Sequence, residues 1–324
     1  MKNNHKMFIL IEGALGLLVL ILAIVMLRGN TSRNLDKVSV IVQDSDDNQW
    51  DAFKYGLRMA AEDQEIEMFV VGTEGVMSVE EQESLIEQEI DNGADAVIVQ
   101  PVPGAETEAM LKRIENGVPV MLAGSTASLE KEASVLPVTE ADNYAMGQTL
   151  AEEVLKDYDG NLDGKRLGIV SQTSESEAAV NLRKGFESVM EDTGAVTAWT
   201  VDGSFGEEED ISLDTLPKVD LVAALDDNSL TAAGASAAAN NLHGAVVYGI
   251  GNSTEAVYYV DTGAVECLVV PDAFNVGYQS LTEIAKNLRN YFHEAGDHTV
   301  SHTVLRKENL FSKENQELLF TMSQ

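Results

Sequence analysis

The stretch VSVIVQDSDDNQWDAFKYGLRMAAED, residues 38–63, decides the fold. Val38, Val40 and Val42 belong to a short run of β-branched residues, which predicts a strand. A polar loop with three carboxylates follows, and from Trp50 onward apolar residues recur at helical spacing. The sequence therefore predicts a strand, a loop and a helix in that order.

The loop of this unit has the composition of a ligand-binding loop. In open α/β sheets, ligands bind just beyond the carboxyl ends of strands. Asp47 offers hydrogen-bond acceptors and Trp50 offers an aromatic face, which suits a polar ligand with apolar surfaces. A solvated acidic turn followed by a core tryptophan is the alternative interpretation of these residues.

The rest of the chain repeats the alternation of strand and helix. The predicted strands are 38–42, 66–71, 96–100, 118–122, 167–171, 221–225, 245–250 and 265–270. The predicted helices are 50–63, 79–92, 105–116, 143–156, 177–192, 229–241, 254–262 and 276–294, with Asp142 and Asp227 as expected N-caps. Such alternation predicts an α/β protein with parallel sheets covered by helices, and the unit at 38–63 returns near 166–192, which predicts two similar lobes.

The N-terminal segment predicts a membrane anchor. Residues 7–27 are apolar apart from Glu12 and would span about 31 Å as a helix, the thickness of a bilayer core. We expect residues 1–6 in the cytoplasm, 7–27 as a transmembrane signal anchor and 28–37 as a stalk. A cleaved signal peptide remains open, although the run is long for one and no small-residue cleavage site follows it.

The net charge limits the possible partners, and the cysteine content limits the possible disulfides. The chain carries a net charge of −33, so nucleic acid and anionic lipid surfaces are disfavoured as partners. The acidic surface is also what keeps an exposed protein soluble. Cys267 is the only cysteine, which excludes an internal disulfide.

Residues 38–324 resemble the ribose- and galactose-type periplasmic sugar-binding proteins, the type I solute-binding fold. The resemblance is carried by the order and spacing of several segments. They are DDNQW, DNGADAVIVQPV, GVPVML, TEADNYAMGQTLAEEV, LRKGFE, DLVAALDDNSLTAAGA, VVYGIGNSTEAV and TGAVECLVVPDAFNVG. It implies two Rossmann-like lobes joined by three hinge crossovers. The N-lobe would comprise 38–139 plus 272–300, and the C-lobe 140–271 plus 301–324.

The resemblance also implies a ligand site between the lobes. Asp47 matches a polar residue that binds sugar hydroxyls, and Trp50 matches an aromatic wall. Phe205 matches the stacking aromatic of the C-lobe, and Asp226 matches a polar ligand residue there. Ser125, Asn252 and Asp272 complete the candidate set, each next to a position where this chain departs from the family.

Those departures change the expected chemistry of the site. The family's arginine before GF falls on Val180 or Leu182, with Arg183 expected on another face, and its aspartate after VVYGI is replaced by Gly251. Fewer charge-assisted anchors remain. An anionic ligand is therefore disfavoured, while a neutral polyol and a cationic solute stay open.

Two patterns in the sequence are weak candidates for metal sites. Asp159, Asn161 and Asp163 match the first half of a calcium loop, but later ligand positions are apolar, so a turn before a strand is favoured. His298 and His302 would share one face of a single strand, which by itself is weak evidence for a metal. We expect no cofactor.

Taken together, these features predict a membrane-anchored extracytoplasmic solute-binding protein for a small polar, sugar-like ligand. Its partner would be an ABC permease or a membrane sensor kinase. An interaction module with a degenerate pocket is the main alternative. An enzyme is not expected, because no nucleophile, base or metal constellation is found in the sequence.

Overall fold

Two six-stranded sheets form the framework of the protein. The computed structural model describes residues 35–73, 77–104, 106–124, 136–172, 176–203, 212–290 and 294–324. The chain divides into two units, Met1–Asp36 and Lys37–Gln324, and both sheets lie in the second. No helix in the described part is long and apolar enough to cross a membrane, and the predicted span 7–27 lies outside it.

The twelve strands alternate along the chain with nine helices in the described residues. The strands are β1 (Lys37–Gln43), β2 (Glu67–Thr73), β3 (Ala96–Val99), β4 (Val120–Ala123), β5 (Val138–Ala141), β6 (Arg166–Ser171), β7 (Val196–Asp202), β8 (Leu221–Ala224), β9 (Val246–Ile250), β10 (Cys267–Pro271), β11 (His298–Val300) and β12 (His302–Leu305). The helices are α1 (Asp51–Asp63), α2 (Val79–Asp91), α3 (Thr107–Glu115), α4 (Asn143–Asp157), α5 (Glu177–Met190), α6 (Asp227–Ala238), α7 (Thr254–Thr262), α8 (Ala273–Arg289) and α9 (Gln316–Thr321).

Each sheet is the centre of one lobe. The N-lobe sheet has the strand order β11-β5-β4-β3-β1-β2, and all its strands are parallel. The C-lobe sheet has the order β12-β10-β9-β8-β6-β7, and only β12 runs antiparallel. Central strands such as β3 and β8 are buried along their whole length, as strands covered by helices on both faces must be. The predicted α/β fold with two parallel-sheet lobes is confirmed.

The chain passes between the two sheets three times. It crosses after β5, after β10, and between β11 and β12. The last two crossings lie side by side, because the Asp272 N–H donates to the Ser301 carbonyl at 3.1 Å.

One helix pair in each lobe is packed by reciprocal glycines. In the N-lobe, a Cβ on Gly56 of α1 would overlap the Phe274 carbonyl of α8, and a Cβ on Gly277 would meet the Phe53 carbonyl. In the C-lobe, Gly147 of α4 faces the Leu182 carbonyl of α5, and Gly185 faces the Tyr144 carbonyl. The two lobes therefore share one packing device, in which backbones approach more closely than any side chain allows.

Several local predictions were wrong. Four strands, β5, β7, β11 and β12, were not predicted, because they are short, polar or at a sheet edge. The N-cap of α6 is Asp226 rather than Asp227, since the Asp226 side chain accepts the Ser229 N–H at 2.8 Å. His298 and His302 do not share a strand, because the chain leaves one sheet for the other at Ser301.

Candidate functional site

A cavity of about 180 Å³ lies between the lobes at the carboxyl ends of the strands. Gln49, Trp50 and Phe53 wall it on the N-lobe side, together with Ala123 at the end of β4 and Gly124 directly after it. The cavity is below the roughly 300 Å³ at which sites for drug-sized ligands begin, and it suits a compound of monosaccharide size.

The rest of the cavity wall is built from strand ends and helix starts of both lobes. Residues 140, 141 and 143 come from the end of β5 and the start of α4, Ala178 from α5, and Asn252 from the turn after β9. Residues 271, 273 and 276 complete the wall at the second crossing between the sheets. Most of these side chains are apolar, and the polar lining consists of the amides of Gln49, Asn143 and Asn252 and the carboxyl group of Glu140.

The loop after β1 is held in shape by its own side chains. Asp47 caps the 3-10 turn Asn48–Trp50, and its carboxylate accepts the Gln49 N–H at 3.1 Å and the Gln49 side-chain amide at 2.8 Å. The Trp50 indole N–H donates to the Gln43 carbonyl at 3.1 Å. Its ring meets Phe53 edge-on, with centroids 5.6 Å apart. These contacts orient Trp50, which lines the cavity. Asp47 does not line the cavity itself but holds Gln49, which does.

Asp226 acts as a structural clamp at the carboxyl end of β8. One carboxylate oxygen accepts the Ser229 N–H, and the other accepts the Gln172 N–H at 2.6 Å and the Ser229 hydroxyl at 2.8 Å. Burial raises the pKa of Asp226 despite these hydrogen bonds. Its side chain is therefore engaged in joining the start of α6 to the end of β6.

Asp227, which the candidate set omitted, is the more buried of the two neighbours. It is 7% exposed, and its Oδ1 accepts the N–H groups of Asn252 at 2.7 Å and Ser253 at 2.8 Å. Burial raises the pKa of Asp227, and the negative charge of Asp47 on the other lobe raises it further. Asp227 thus fixes the turn after β9 that carries Asn252.

Asn252 joins the lobes directly. Its side-chain amide donates to the Gln49 carbonyl at 2.6 Å, across the cleft. Asp272, by contrast, caps α8 and accepts the N–H and the side-chain amide of Asn275 at 3.1 and 2.7 Å. The hydrogen bond from Asn252 therefore bridges the two lobes beside the cavity.

Phe205 and Ser125 lie outside the described residues. Arg183 lies at the carboxyl ends of β6 and β7, where its guanidinium bonds the Ser171 hydroxyl at 2.7 Å and pairs with Asp202. It does not line the cavity. Its charge is matched by an aspartate of its own lobe.

The loop at 159–163 forms a turn. Asp159 and Gly160 adopt positive φ angles of 52° and 78°, and the Asn161 side-chain oxygen accepts the Asp163 N–H at 2.8 Å.

The two histidines considered as a metal pair lie in different lobes. His302 bonds the Thr149 hydroxyl at 2.9 Å in the C-lobe, whereas His298 lies 3.4 Å from Glu283 in the N-lobe.

Sequence reasoning missed the contribution of β5 to the site. Glu140, Ala141 and Asn143 line the cavity because β5 ends beside them. The signal was present: Asp142 was recognised as an N-cap, and an N-cap directly after a strand marks the ligand-facing edge of an α/β sheet. Without β5 as a strand, the rule could not be applied there.

The fold and cleft define a two-lobed α/β protein that holds its cavity between the lobes. The sequence matches the periplasmic binding protein domain family over residues 38–290, and the chain belongs to that family. No curated protein matches the sequence.

Solved structures share the fold at low sequence identity. A carbohydrate transporter solute-binding protein from Agrobacterium radiobacter, in complex with D-arabinose, is 18% identical with a TM-score of 0.74, covering 89% of this chain and all of that one. GanP, a glucose-galactose binding protein from Geobacillus stearothermophilus, is 16% identical with a TM-score of 0.70, covering 86% of this chain and all of that one. XylFII, in a complex with LytSN, is 16% identical with a TM-score of 0.69, covering 85% and 98%.

Proposed function

We propose that the protein is a solute-binding protein that takes a monosaccharide-sized, sugar-like ligand into the cavity between its lobes. The observation that carries the proposal is the position of Trp50, an oriented aromatic wall at the carboxyl end of β1. Aromatic faces cover the C–H surfaces of sugars, and the surrounding amides can donate to and accept from hydroxyls. Several proteins of similar fold are solved with sugars such as D-arabinose.

Thermal shift across a panel of pentoses and hexoses tests this proposal. We expect at least one sugar to raise the melting temperature of the wild-type protein, and Trp50→Ala to abolish that rise. Trp199→Ala is the matched control, because Trp199 bonds the Pro217 carbonyl at 2.8 Å and does not line the cavity. If no sugar shifts the wild-type protein, the cavity is not a sugar site and the interaction module with a degenerate pocket is favoured.

Ligand binding is proposed to act through closure of the lobes. The three crossings between the sheets would serve as hinges, as in other two-lobed binding proteins. Small-angle scattering should report compaction when the ligand of the thermal-shift assay is added. An unchanged radius of gyration at saturating ligand would contradict closure.

The protein is further proposed to be anchored in the cell membrane by residues 7–27, with the binding unit outside. Support comes from the apolar run itself, which is long enough for a bilayer. Protease treatment of intact cells should digest the binding unit, and the protein should pellet with membranes. Recovery in the soluble external fraction, shortened at the N-terminus, would instead identify a cleaved signal peptide.

The partner is proposed to be an ABC importer or a membrane sensor. Similar proteins named as ABC transporter components support the first, and the XylFII–LytSN complex supports the second. Crosslinking in membranes with and without sugar would separate them, since a permease and a sensor differ in size and identity. Recovery of neither partner in the presence of ligand would contradict both roles.

A further inference from the structure

The lining of the cleft cavity is mainly apolar, and both lobes contribute to it. Trp50 lines the cavity from the N-lobe, and Ala178 at the start of α5 lines it from the C-lobe. Ala141, Ala273 and Val276 are further apolar members of the lining. All five residues are half-buried, so part of each side chain remains for a ligand to cover. A ligand that fills this cavity therefore meets apolar surface from both lobes.

The apolar lining is held in place by the cores of the two lobes. Trp50 and Val276 pack against the N-lobe core, and Ala141 packs against the C-lobe core. Ala273 packs against the cores of both lobes. Because closely packed cores resist rearrangement, a bound ligand meets these same apolar surfaces rather than polar groups turned in to replace them.

The polar side chains of the lining are few, and most of them are already partly engaged. The Gln49 amide donates to Asp47 at 2.8 Å, and the Asn252 amide donates to the Gln49 carbonyl at 2.6 Å. Glu140 already interacts with another residue. Asn143 of α4 is the remaining polar side chain among the described residues of the lining. A hydroxyl group that enters the closed cleft without a partner loses its hydrogen bonds to water, so the cavity disfavours a ligand with a hydroxyl group on every carbon.

We propose that the preferred ligand is a deoxyhexose, a sugar in which a methyl group replaces the hydroxymethyl group, with its ring on Trp50 and its methyl group against Ala178. This inference rests on the proposed sugar-binding function and narrows it to one class of sugar. Burial of a methyl group against alanine is favourable, whereas a hydroxyl group at the same place would have no partner there. The amides of Asn143 and Asn252, which lie on the same lobe as Ala178, serve the hydroxyl groups that remain on the ring.

Calorimetric titration of the protein with matched sugars tests the proposal. The probes are L-fucose with L-galactose, D-fucose with D-galactose, and L-rhamnose with L-mannose. The members of each pair differ only in whether they carry a methyl or a hydroxymethyl group. We expect at least one deoxyhexose to bind about tenfold more tightly than its parent sugar, which is within the discrimination that an apolar pocket achieves against an added hydroxyl group.

Two variants assign the preference to the cavity. Ala178→Ser places a hydroxyl group where the methyl group of the ligand is expected, and it should reduce the ratio of deoxyhexose affinity to parent-sugar affinity by about threefold or more. Ala179→Ser is the matched control, because Ala179 is the next residue of the same helix and does not line the cavity. The control should leave the ratio unchanged. An unchanged ratio in Ala178→Ser would overturn the contact between the methyl group and Ala178.

The outcomes separate this inference from the function on which it rests. Parent sugars that bind as tightly as the deoxyhexoses, or more tightly, would overturn the deoxyhexose inference and leave sugar binding intact. Absence of saturable binding for all of these sugars, together with no response in the wider thermal-shift panel, would overturn both.

Discussion

The two lobes present acidic residues to the cleft in different ways. On the N-lobe, the Asp47 carboxylate accepts two hydrogen bonds from Gln49 of its own loop, and Trp50, bonded to the Gln43 carbonyl, lines the cavity. On the C-lobe, Asp226 and Asp227 bond the backbone of their own helix and of two other segments, and both are largely enclosed. An acidic residue after a strand can thus be part of the frame rather than a ligand group. The N-lobe supplies the aromatic contact surface, and the C-lobe supplies a fixed frame.

The largest effect is expected at the buried arginine of the C-lobe, which pairs with three acids. Arg306, 7% exposed, pairs with Glu153 at 2.7 Å, Asp157 at 3.0 Å and Glu266 at 3.3 Å, tying β12 to the lobe. Arg306→Ala leaves partly buried carboxylates without their cation and should cost about 3 kcal/mol of unfolding free energy. Urea denaturation measures it, with the exposed Lys307→Ala as control. A loss no larger than that of the control would contradict this role.

The close helix contacts at the glycine pairs should contribute equally to the stability of the two lobes. Gly56→Leu in the N-lobe and Gly185→Leu in the C-lobe each force apart a helix pair, and each should cost about 2 to 3 kcal/mol. Gly296→Ala is the control, because a Cβ there meets nothing within 4 Å. Thermal unfolding of the three variants makes the comparison. A large loss in one lobe and none in the other would break the proposed equivalence.

A smaller effect is expected at the hydrogen bond that Asn252 makes between the lobes. Asn252→Ala removes the 2.6 Å hydrogen bond to the Gln49 carbonyl, while the backbone bond to Asp227 remains. We expect the closed form to become less stable relative to the open form by about 1 kcal/mol. The radius of gyration measured by scattering should therefore increase. Asn241→Ala, on the surface of the C-lobe, should change neither. An unchanged radius in Asn252→Ala would show that other contacts hold the lobes together.

The smallest expected effect is on how the free energy of unfolding depends on pH. Burial raises the pKa of Asp227, so the folded protein binds a proton there more readily than the unfolded chain does. This carboxyl group therefore favours folding increasingly as the pH falls through its raised pKa towards the ordinary value of about 3.9. Asp227→Asn should flatten that part of the stability profile, measured by urea unfolding between neutral and mildly acidic pH. Parallel profiles for the variant and the wild type would contradict it.

The lone cysteine offers a kinetic check on the C-lobe core. Burial raises the pKa of Cys267 to about 12, and its side chain is fully enclosed. Alkylation by a thiol reagent should therefore be slow in the folded protein and fast in urea. Rapid labelling without denaturant would show that the C-lobe opens more readily than its packing indicates.

Periodicity and strand composition were sufficient to predict the fold from the sequence. Buried strands such as β1 and β3 are runs of β-branched residues, and the helix bounds agree within a few residues for most of the chain. Strand β5, with the sequence VTEA, lacks that signal because it is short and polar. Its place in the sheet depends on partners distant in sequence, such as β11.

The site was less predictable than the fold. Position after a strand was enough to single out Trp50, which lines the cavity. Position in the sequence could not reveal that the Asp226 carboxylate already accepts hydrogen bonds from Gln172 and Ser229, because these contacts form only in the folded protein. Residue type and order predict which groups reach the cleft edge, whereas three-dimensional contacts decide which of them face a ligand.

Tryptophan fluorescence tests the central claim most directly, since the chain has only two tryptophans, Trp50 and Trp199. The protein is titrated with the sugar that gives the largest thermal shift, in the variants Trp199→Phe and Trp50→Phe. The cleft site predicts a saturable fluorescence change when Trp50 is the only tryptophan and none when only Trp199 remains. A saturable change that survives in Trp50→Phe and is absent from Trp199→Phe would place the ligand elsewhere and contradict the account.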